Sequence, residues 1–504
     1  MKIHVFFGVL TVVLLVIVIG SRRREAFTFD DVVGMARGMA VSDYMSAVPV
    51  LPKELRELNY DQHRDIRWRD EYTLWRREGL PFQARFFHPG YIFDRSVDIY
   101  YEVADKSFER LRYSPEFFNY GKNVFRQRIP DTVGYAGFRI HYPINKPEVL
   151  DEVFVFLGAS YFRAVPKDLI YGPSARGLAL DTAVEKKKEE FPVFTKFWLR
   201  RPERFGKHMI IYALLESRSV TGAYHFTIEP GAETRMHVKA VLFFHKEGEH
   251  VGYAPLTSMY WYAENTSNTF GDFRPEVHDS DGLLMQRGND EWVWHPLAWS
   301  RQLQLNSFED DHPKGFGLLQ RDRDFNHYQD LEALYHKRPS IWVQPVGGFD
   351  KGAVRLVQLP TKDEFQDNVV AFWTPSEVPP LLSPVEVEYV LRWFGDASDL
   401  PPVGRCISTR VDDQDKPYYR HFFLEFLGGP LAQLKPGETP YADVSSSTGA
   451  AITEIKVEWN DFNKTWRVSF YASTPESKKP NELACKLLWN GEAMTETWSY
   501  TWMP

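Results

Sequence analysis

The sequence predicts an all-β protein made of packed antiparallel sheets. Stretches rich in β-branched and aromatic residues follow one another along most of the chain, and Gly, Pro or Asp separates them. A parallel sheet would need a helix of about 10 to 15 residues between most strands, and such helices are absent from this pattern. The length of 504 residues exceeds what one ordinary core supports, so two domains are expected.

Residues 1–24 are predicted to be a signal peptide or a signal anchor. The apolar run 5–20 has the length of a signal-peptide core and is short for a membrane span. Three arginines, 22–24, follow the run directly, and positive charge at that place opposes translocation. Export is favoured by this pattern, and an uncleaved anchor is the alternative.

A large β-sandwich domain is predicted over residues 25–375. Thr28, Asp30 and Asp31 precede a helix-like stretch, which indicates a capped first helix. In the run 234–245 apolar and polar residues alternate, as in a strand with one buried face. A short surface helix is expected within 324–338. The strands predicted in this domain are 81–88, 96–103, 137–143, 152–158, 207–215, 222–228, 234–245, 341–345, 353–359 and 368–375.

A proline-rich linker and a second domain are predicted at the end of the chain. Residues 374–384 contain four prolines and cannot form a helix or a central strand, so 376–384 is assigned as the linker. Beyond it, 385–504 has the profile of an immunoglobulin-like sandwich. Its clearest predicted strands are 385–394, 419–426, 452–460, 466–473 and 494–502.

Charge and cysteine content exclude several classes of function. The net charge is −8, without a basic footprint, which argues against a nucleic-acid partner. The two cysteines, Cys406 and Cys485, form no metal-binding or catalytic motif, and they are either one disulfide or two buried thiols. His237 and His245 are too far apart along one strand to share a metal. We therefore expect no metal and no cofactor.

The segment 271–296 is the first candidate functional region. It predicts a polar loop that ends in a strand at 291–296. Carboxylates mixed with tryptophans suit a carbohydrate cleft, where acids act on glycosidic oxygens. The alternative is a solvated loop that neutralises its own charges. Seven of its acidic and histidine residues are candidates for proton transfer, namely Asp272, Glu276, His278, Asp279, Asp281, Asp290 and Glu291.

A second acidic cluster and a set of arginines add to this region. Asp363, Glu364 and Asp367 lie in a turn that leads into an apolar strand, and their alternative role is ordinary turn hydrogen bonding. Arginine side chains orient carboxylates and sugar hydroxyls, and their alternative role is solvated ion pairing. The arginines at issue are Arg139, Arg163, Arg176, Arg274, Arg321 and Arg323.

Long ordered motifs make the chain resemble a known family. They include FLGASYFRAV (156–165), YGPSARGLALDTA (171–183), FRPEVHDSDGL (273–283), KGFGLLQRDRDF (314–325) and PTKDEFQDNVVAFWTP (360–375). The family is that of the periplasmic glucan biosynthesis proteins OpgG and OpgD, also called MdoG and MdoD. The resemblance implies a galactose-mutarotase-like β-sandwich joined to an immunoglobulin-like domain, located in the periplasm.

The resemblance also implies a substrate and a function. The substrate is the β-1,2-linked glucan backbone of osmoregulated periplasmic glucans, and the inner-membrane glucan synthase is a candidate partner. An inverting β-1,2-glucanase is the expected activity. A transglycosylase on the same glucan and a non-catalytic glucan-binding assembly factor are the alternatives.

Residue roles follow from the same resemblance. Asp367 is expected to be the general acid and Asp279 the base that activates water, with Asp281 as the alternative base. Glu364 is expected to orient Asp367 or to bind a sugar hydroxyl. Burial beside its apolar strand is expected to raise the pKa of Asp367, whereas Arg274 and His278 are expected to keep Asp279 ionised. The expected substrate-binding residues are Glu364, Arg163, Arg176, Arg274, His278, Asp281 and Arg321.

Overall fold

Strands dominate the structure, a computed structural model, and confirm the predicted all-β sandwich class. It describes residues 26–42, 44, 51–246, 250–266, 271–397, 399–412, 418–435, 437–475 and 479–503. The predicted signal peptide or anchor, 1–24, lies outside the described residues. Within the part of the chain that is described, no helix has the length and apolar character needed to cross a membrane.

The helices that the structure describes are short. The first begins as predicted, since the backbone N–H of Thr28 donates to Oδ2 of Asp31 at 2.7 Å. The short helix expected within 324–338 occurs as α4, and a 3-10 helix follows it at Tyr335–Lys337. The α-helices are α1 Phe29–Ala40, α2 Lys53–Arg56, α3 Tyr60–Arg64 and α4 Phe325–Tyr328, and the 3-10 helices are Asp70–Tyr72, Pro115–Phe117, Tyr335–Lys337 and Gly429–Gln433.

The strands follow one another as the sequence predicts. In chain order they are β1 Arg67–Trp68, β2 Gln83–Phe87, β3 Asp98–Glu102, β4 Phe108–Arg110, β5 Phe118–Asn119, β6 Gly137–Tyr142, β7 Asp151–Leu157, β8 Tyr161–Ala164, β9 Ser174–Arg176, β10 Ala179–Leu180, β11 Val193–Leu199, β12 Met209–Glu216, β13 Val220–Glu229, β14 Thr234–Phe244, β15 Val251–Ser258, β16 Tyr260–Tyr262 and β17 Val277–His278. They continue with β18 Gly282–Gln286, β19 Trp292–Pro296, β20 Gln304–Asp311, β21 Gly315–Leu319, β22 Ser340–Gly347, β23 Lys351–Gln358, β24 Val369–Pro375, β25 Pro384–Phe394, β26 Arg405–Asp412, β27 Tyr419–Leu427, β28 Tyr441–Ser446, β29 Ala451–Asn460, β30 Thr465–Ser473, β31 Asn481–Trp489, β32 Glu492–Ala493 and β33 Thr497–Trp502.

Two large sheets form the body of the molecule. One has the order β2-β6-β7-β8-β9-β15-β24-β23-β20, with β10 beside β15. The other has the order β28-β31-β33-β19-β18-β21-β22-β25-β14-β13-β12-β11-β3-β4, with β32 beside β31. Nearly all of their pairs are antiparallel, as the lack of helical crossovers predicts.

Aromatic side chains fill the space between the two sheets. The Phe226 ring on β13 lies 5.2 Å from that of Phe156 on β7 and 5.3 Å from that of Phe162 on β8, centroid to centroid. The alternation predicted for β14 is confirmed, because Met236 and Val238 are fully buried in this core. Burial of one face of each sheet fixes the register of the strands, since a slip by one residue would expose that face.

The strand β25 corrects the predicted domain division. It pairs with β14 on one side and β22 on the other, and its Tyr389, Leu391 and Trp393 side chains belong to the large core. The expectation that 385–394 opens the second domain is therefore wrong. The proline-rich stretch 376–384 is likewise not an interdomain linker, because it carries the chain from β24 in one sheet to β25 in the other. Alternating apolar residues revealed the strand but not the sheet to which it belongs.

A second core lies under the C-terminal strands. The sheet β26-β27-β30-β29 faces β28, β31 and β33, and the two enclose Phe422, Phe470 and Trp498. Trp294 and Trp342, from strands of the fifteen-stranded sheet, belong to the same cluster. This core also contains Cys406 and Cys485, which are buried and unbonded, so the structure favours two thiols over a disulfide. The C-terminal sandwich is thus built directly onto the large sheet.

Candidate active site

Both predicted catalytic carboxylates are anchored at the start of β16. The backbone N–H of Asp279 donates to the carbonyl oxygen of Met259 at 2.8 Å. Asn368, which follows Asp367, accepts from the N–H of Tyr260 and donates to its carbonyl oxygen, both at 2.9 Å. Two loops from distant parts of the sequence are therefore tied to adjacent residues, Met259 directly before β16 and Tyr260 at its start. This anchoring brings Asp279 and Asp367 to the same region of the molecule.

Asp279 is buried and paired with an arginine. Its residue exposure is 4%, and its Oδ1 accepts from Nη1 of Arg338 at 2.6 Å. Burial raises the pKa of Asp279, while the guanidinium groups of Arg338 and Arg163 oppose this rise. The neighbours expected to keep it ionised, Arg274 and His278, are engaged elsewhere, so that part of the expectation is wrong.

Asp367 lies at a more open position. Its side chain is 38% exposed, and its Oδ2 lies 3.5 Å from Nη2 of Arg163 on β8. The burial that was expected beside the apolar strand β24 is therefore not observed. A carboxyl group in this position can reach a ligand that approaches from solvent.

Arg274 gathers three carboxylates next to this pair. Its Nη1 lies 2.8 Å from Oδ2 of Asp330 and 2.6 Å from Oε2 of Glu364, and its Nη2 lies 2.7 Å from Oδ2 of Asp272. The same Glu364 oxygen accepts from the hydroxyl of Tyr335 at 2.6 Å. The Arg274 hydrogen bond is the main cause that lowers the pKa of Asp272. Arg274 and Glu364 are thus held by each other.

His278 and Asp281 lie in a buried polar cluster. The Nδ1–H of His278 donates to Oε1 of Gln320 at 3.0 Å, and its Nε2 faces Oε2 of Glu276 at 3.0 Å and Oδ1 of Asp281 at 3.6 Å. Burial lowers the pKa of His278, but the carboxylates of Asp281 and Glu276 outweigh it and raise the pKa to about 9. Burial raises the pKa of Glu276 to about 7 and that of Asp281 to about 6. His278 is fully buried and cannot touch a substrate in this arrangement.

Two groups in this cluster have the residue types of metal ligands. Glu276, His278 and Asp281 place ligand atoms within 4.8 Å of one another, and so do Glu276, Asp322 and His327. In the first group, however, the His278 Nε2 is already engaged by Glu276 at hydrogen-bonding distance, so both of these groups have a partner without a metal. We do not identify it as a metal site, and the expectation of no metal stays a prediction.

The other two predicted arginines have different surroundings. Arg176 lies 2.8 Å from Oε1 of Glu189, and its guanidinium carbon lies 5.3 Å from the centre of the Tyr161 ring. Tyr161 shares β8 with Arg163 and lies within electrostatic range of Asp367. Arg321 instead pairs with Glu496 beneath the C-terminal strands. Arg176 is thus linked to the carboxylate pair only through Tyr161, and Arg321 is separated from it.

A groove of about 990 Å³ reaches Tyr161 from the end of the sandwich. Arg112, Lys196 and Phe197 are among the residues that line it. The carboxylates themselves lie outside this groove. It therefore adjoins the candidate site and does not contain it.

Comparison with known proteins identifies the family. A model of the family described as "Periplasmic glucan biosynthesis protein, MdoG" matches residues 27–502. The chain is 43% identical over 488 residues to glucans biosynthesis protein G of Ralstonia nicotianae, which covers 95% of this chain and 96% of that protein. The chain belongs to the MdoG periplasmic glucan biosynthesis family.

Other members of the MdoG family match about equally well. The probable glucans biosynthesis protein D of Shewanella oneidensis is 42% identical over 492 residues, covering 96% of this chain and 90% of that protein. A glucans biosynthesis protein G of Vibrio cholerae is 41% identical over 489 residues, covering 96% and 88%. The resemblance drawn from the motifs is confirmed. The family match includes the C-terminal strands as well as the large sheets.

Sequence reasoning missed Arg338, Tyr335, Asn368 and Gln320. All but Asn368 lie at 320–338, between β21 and β22, where a short helix and the arginines Arg321 and Arg323 were expected but no partner of Asp279. Asn368 directly follows the second acidic motif, and its polar side chain at the entry of an apolar strand was the available signal. Arg338 precedes a proline and carries no motif of its own. Its contact with Asp279 spans 59 residues of sequence.

Proposed function

We propose that the chain hydrolyses the β-1,2-linked glucan backbone of osmoregulated periplasmic glucans and inverts the anomeric centre. Membership of the MdoG family supports the glucan as substrate class. The observation that carries the proposal is the pair Asp279 and Asp367, whose loops are anchored at the neighbouring residues Met259 and Tyr260. Arg163 contacts Asp367 and also acts electrostatically on Asp279.

The proposed roles assign different tasks to the two carboxyl groups. An inverting glycosidase uses one carboxyl group as general acid and the other as the base that activates water. We assign the acid to Asp367, whose exposed side chain can approach a glycosidic oxygen. We assign the base to Asp279, because the hydrogen bond from Arg338 at 2.6 Å supports its carboxylate form. Burial works against that form, so Arg338 is essential to this assignment.

The remaining binding groups and the location belong to the same proposal. Arg163 contacts Asp367, Arg176 lies near the Tyr161 ring, and the groove at Tyr161 offers room for further sugar units. Arg274 and Glu364 hold the loops that form the site. We propose the periplasm as the place of action and the inner-membrane glucan synthase as a partner, in line with the family description.

The test is incubation of the purified chain with linear β-1,2-glucan. Product size is followed by chromatography, and the anomeric form of the first product by NMR. Shorter chains with inverted anomeric configuration support the proposal. Longer chains would indicate a transglycosylase, and no change with β-1,2-glucan would contradict both activities. Linear β-1,3-glucan is the matched control polymer, and it should remain intact.

A non-catalytic assembly factor is the second candidate. The names of the relatives, glucans biosynthesis proteins G and D, favour a role in making glucans. A binder does not need both Asp279 and Asp367. Glucan binding by calorimetry, without any change in polymer length, would favour this candidate over the hydrolase.

A further inference from the structure

We infer that Arg338 is a positioning residue, which orients the carboxylate of Asp279 and keeps it ionised, and that Tyr335 in turn positions Arg338. The inference rests on the proposed function, since it concerns the group assigned as base. Neither residue belongs to a motif, and both were missed by sequence reasoning. Contacts among the described residues carry the argument.

Arg338 is restrained at three places. Its Nη1 donates to Oδ1 of Asp279 at 2.6 Å, and its Nε and Nη2 each donate to the carbonyl oxygen of Ala333 at 3.3 Å. Its guanidinium carbon lies 4.6 Å from the centre of the Tyr335 ring. A planar guanidinium fixed by a carbonyl on one edge and by a ring on one face has little freedom to rotate. The orientation of the Asp279 carboxylate is fixed with it.

Tyr335 connects this arginine to the second acidic loop. The residue is 2% exposed, and its hydroxyl donates to Oε2 of Glu364 at 2.6 Å. Nη1 of Arg274 holds the same oxygen at 2.6 Å. The contacts thus run without a gap from Arg274 through Glu364 and Tyr335 to Arg338. Because the loop of Glu364 also carries Asp367, this chain of contacts couples the positions of the two proposed catalytic groups.

The charges around Asp279 indicate what removal of Arg338 would do. Arg338 and the Tyr335 hydroxyl face it from the segment before β22, Asp367 faces it from the loop before β24, and Arg163 faces it from β8. Burial and Asp367 raise the pKa of Asp279, and the two arginines lower it. Without Arg338 the largest influence that opposes the rise is lost, and Arg163 remains. Asp279 would then be protonated at a higher pH and lose its function as base.

The test is the pH profile of glucan cleavage by the full chain carrying Arg338→Met. The acid limb of kcat/KM reports the base in the free enzyme. We expect this limb to move upward by about 1 to 3 pH units, the usual effect of an adjacent opposite charge on an Asp. KM should stay unchanged above the limb. A role of Arg338 in stability alone would lower the amount of active protein without moving the limb.

Two further variants keep the test decisive if Arg338→Met folds poorly. Arg338→Lys keeps the charge but not the planar fork, so the limb should stay close to wild type while kcat falls. Tyr335→Phe keeps the ring under the guanidinium and removes the bond to Glu364, so kcat should fall with a small movement of the limb. Arg392→Met is the matched control, because Arg392 pairs with Glu233 at 2.7 Å and lies 5.6 Å from the Phe394 ring.

The outcomes separate this inference from the proposed function. If the wild-type chain cleaves no glucan, both fail. If the wild type cleaves and the acid limb of the Arg338 variants coincides with that of wild type and Arg392→Met, this inference alone is overturned. An upward shift in Arg338→Met that Arg338→Lys reverses supports it.

Discussion

Two arginine–carboxylate–aromatic groups in this protein have similar chemistry and different surroundings. In one, Arg338 bonds to Asp279 at 2.6 Å and lies 4.6 Å from the Tyr335 ring centre. In the other, Arg321 bonds to Glu496, and its guanidinium carbon lies 3.6 Å from the Trp294 ring centre. Nη1 of Arg321 also donates to the carbonyl oxygen of Cys406 at 2.7 Å. This hydrogen bond joins the segment after β21 to β26 of the C-terminal sandwich.

The difference lies in what adjoins each group. Glu496 is sealed, with a side-chain exposure of 0%, and none of the described carboxylates other than Glu496 forms an ion pair with Arg321. Asp279 is buried too, but the pair Asp367 and Arg163 next to it is 38% and 40% exposed. A buried ion pair is weak evidence of function by itself. Glycosidases use two carboxyl groups in different roles, and only the group with Asp279 has a second, open acid beside it.

The largest expected effect is on turnover. Asp279→Asn and Asp367→Asn should each lower glucan cleavage by about two to four orders of magnitude, the usual contribution of a general acid or base. Binding of the glucan, measured by calorimetry, should persist in both. Glu496→Gln, the change made in the sealed group, should leave the turnover of folded protein near wild type. Retention of more than about a tenth of wild-type turnover would remove the assigned role of the residue.

For stability the order of the two groups should be reversed, because the larger loss is expected from the group of Glu496. Glu496→Ala leaves the Arg321 guanidinium buried without a carboxylate, and breaking such a pair typically costs about 3 to 5 kcal/mol of unfolding free energy. Urea unfolding followed by fluorescence measures this loss. The control is Asp131→Ala, which breaks the exposed contact with Arg128 and should cost no more than about 1 kcal/mol. Equal losses in the two variants would mean that the ion pair of Arg321 and Glu496 does not stabilise the fold more than an exposed pair does.

The third prediction compares how two buried histidines, His278 and His295, make the stability depend on pH. The pKa of His278 is raised to about 9, so its stabilising contribution is complete below its ordinary value near 6.5 and is lost as the pH rises through 9. Burial lowers the pKa of His295 to about 4, so stability is lost as the pH falls from about 6.5 through 4.

Substitution of each histidine by glutamine should affect only its own pH range. In His278→Gln the unfolding free energy should lose its decline between about pH 6.5 and 9, which amounts to roughly 1 to 3 kcal/mol over that range. His295→Gln is expected to change only the acidic range. Urea unfolding at a series of pH values measures both. If the unfolding free energy of His278→Gln declined on the alkaline side as that of the wild type does, His278 would not be a buried imidazolium.

The smallest expected effect tests whether the candidate site is open. Arg163→Met removes the partner of Asp367, but both side chains are more than a third exposed, so stability should change by no more than about 1 kcal/mol. Urea unfolding again provides the value. If the unfolding free energy fell as much as in Glu496→Ala, Arg163 would be needed for the fold. The contrast between the two groups would then disappear.

Much of the fold could be predicted from local pattern. The ten strands expected in the first domain all occur, with ends that differ by two residues or fewer. Alternation in β14 and the Thr28 cap were likewise readable, because both depend on residues close in sequence. The placement of β25 was not readable, because an alternating strand fits the edge of a new domain as well as the middle of a sheet.

The candidate site could be predicted only in part, for a similar reason. Family motifs carried Asp279 and Asp367, and the structure brings the two into one region. The same motifs carried His278 and Arg321, which the fold turns into buried supports. Arg338 and Tyr335 had no signal, since their roles depend on contacts across 59 and 29 residues of sequence. Burial could not be read from a motif either, and so the expected environments of the two carboxylates were wrong.

The position of β25 has a consequence for how the chain can be divided. A fragment that ends at the proline-rich stretch lacks β25, and its β14 and β22 would face each other across an empty place in the middle of the sheet. A fragment that begins there would present both edges of β25 without a partner. The parallel pairing of β19 with β33 extends the same hydrogen-bonded sheet into the last residues. The chain should therefore unfold in a single cooperative transition, and proteolysis at the prolines should release no stable half.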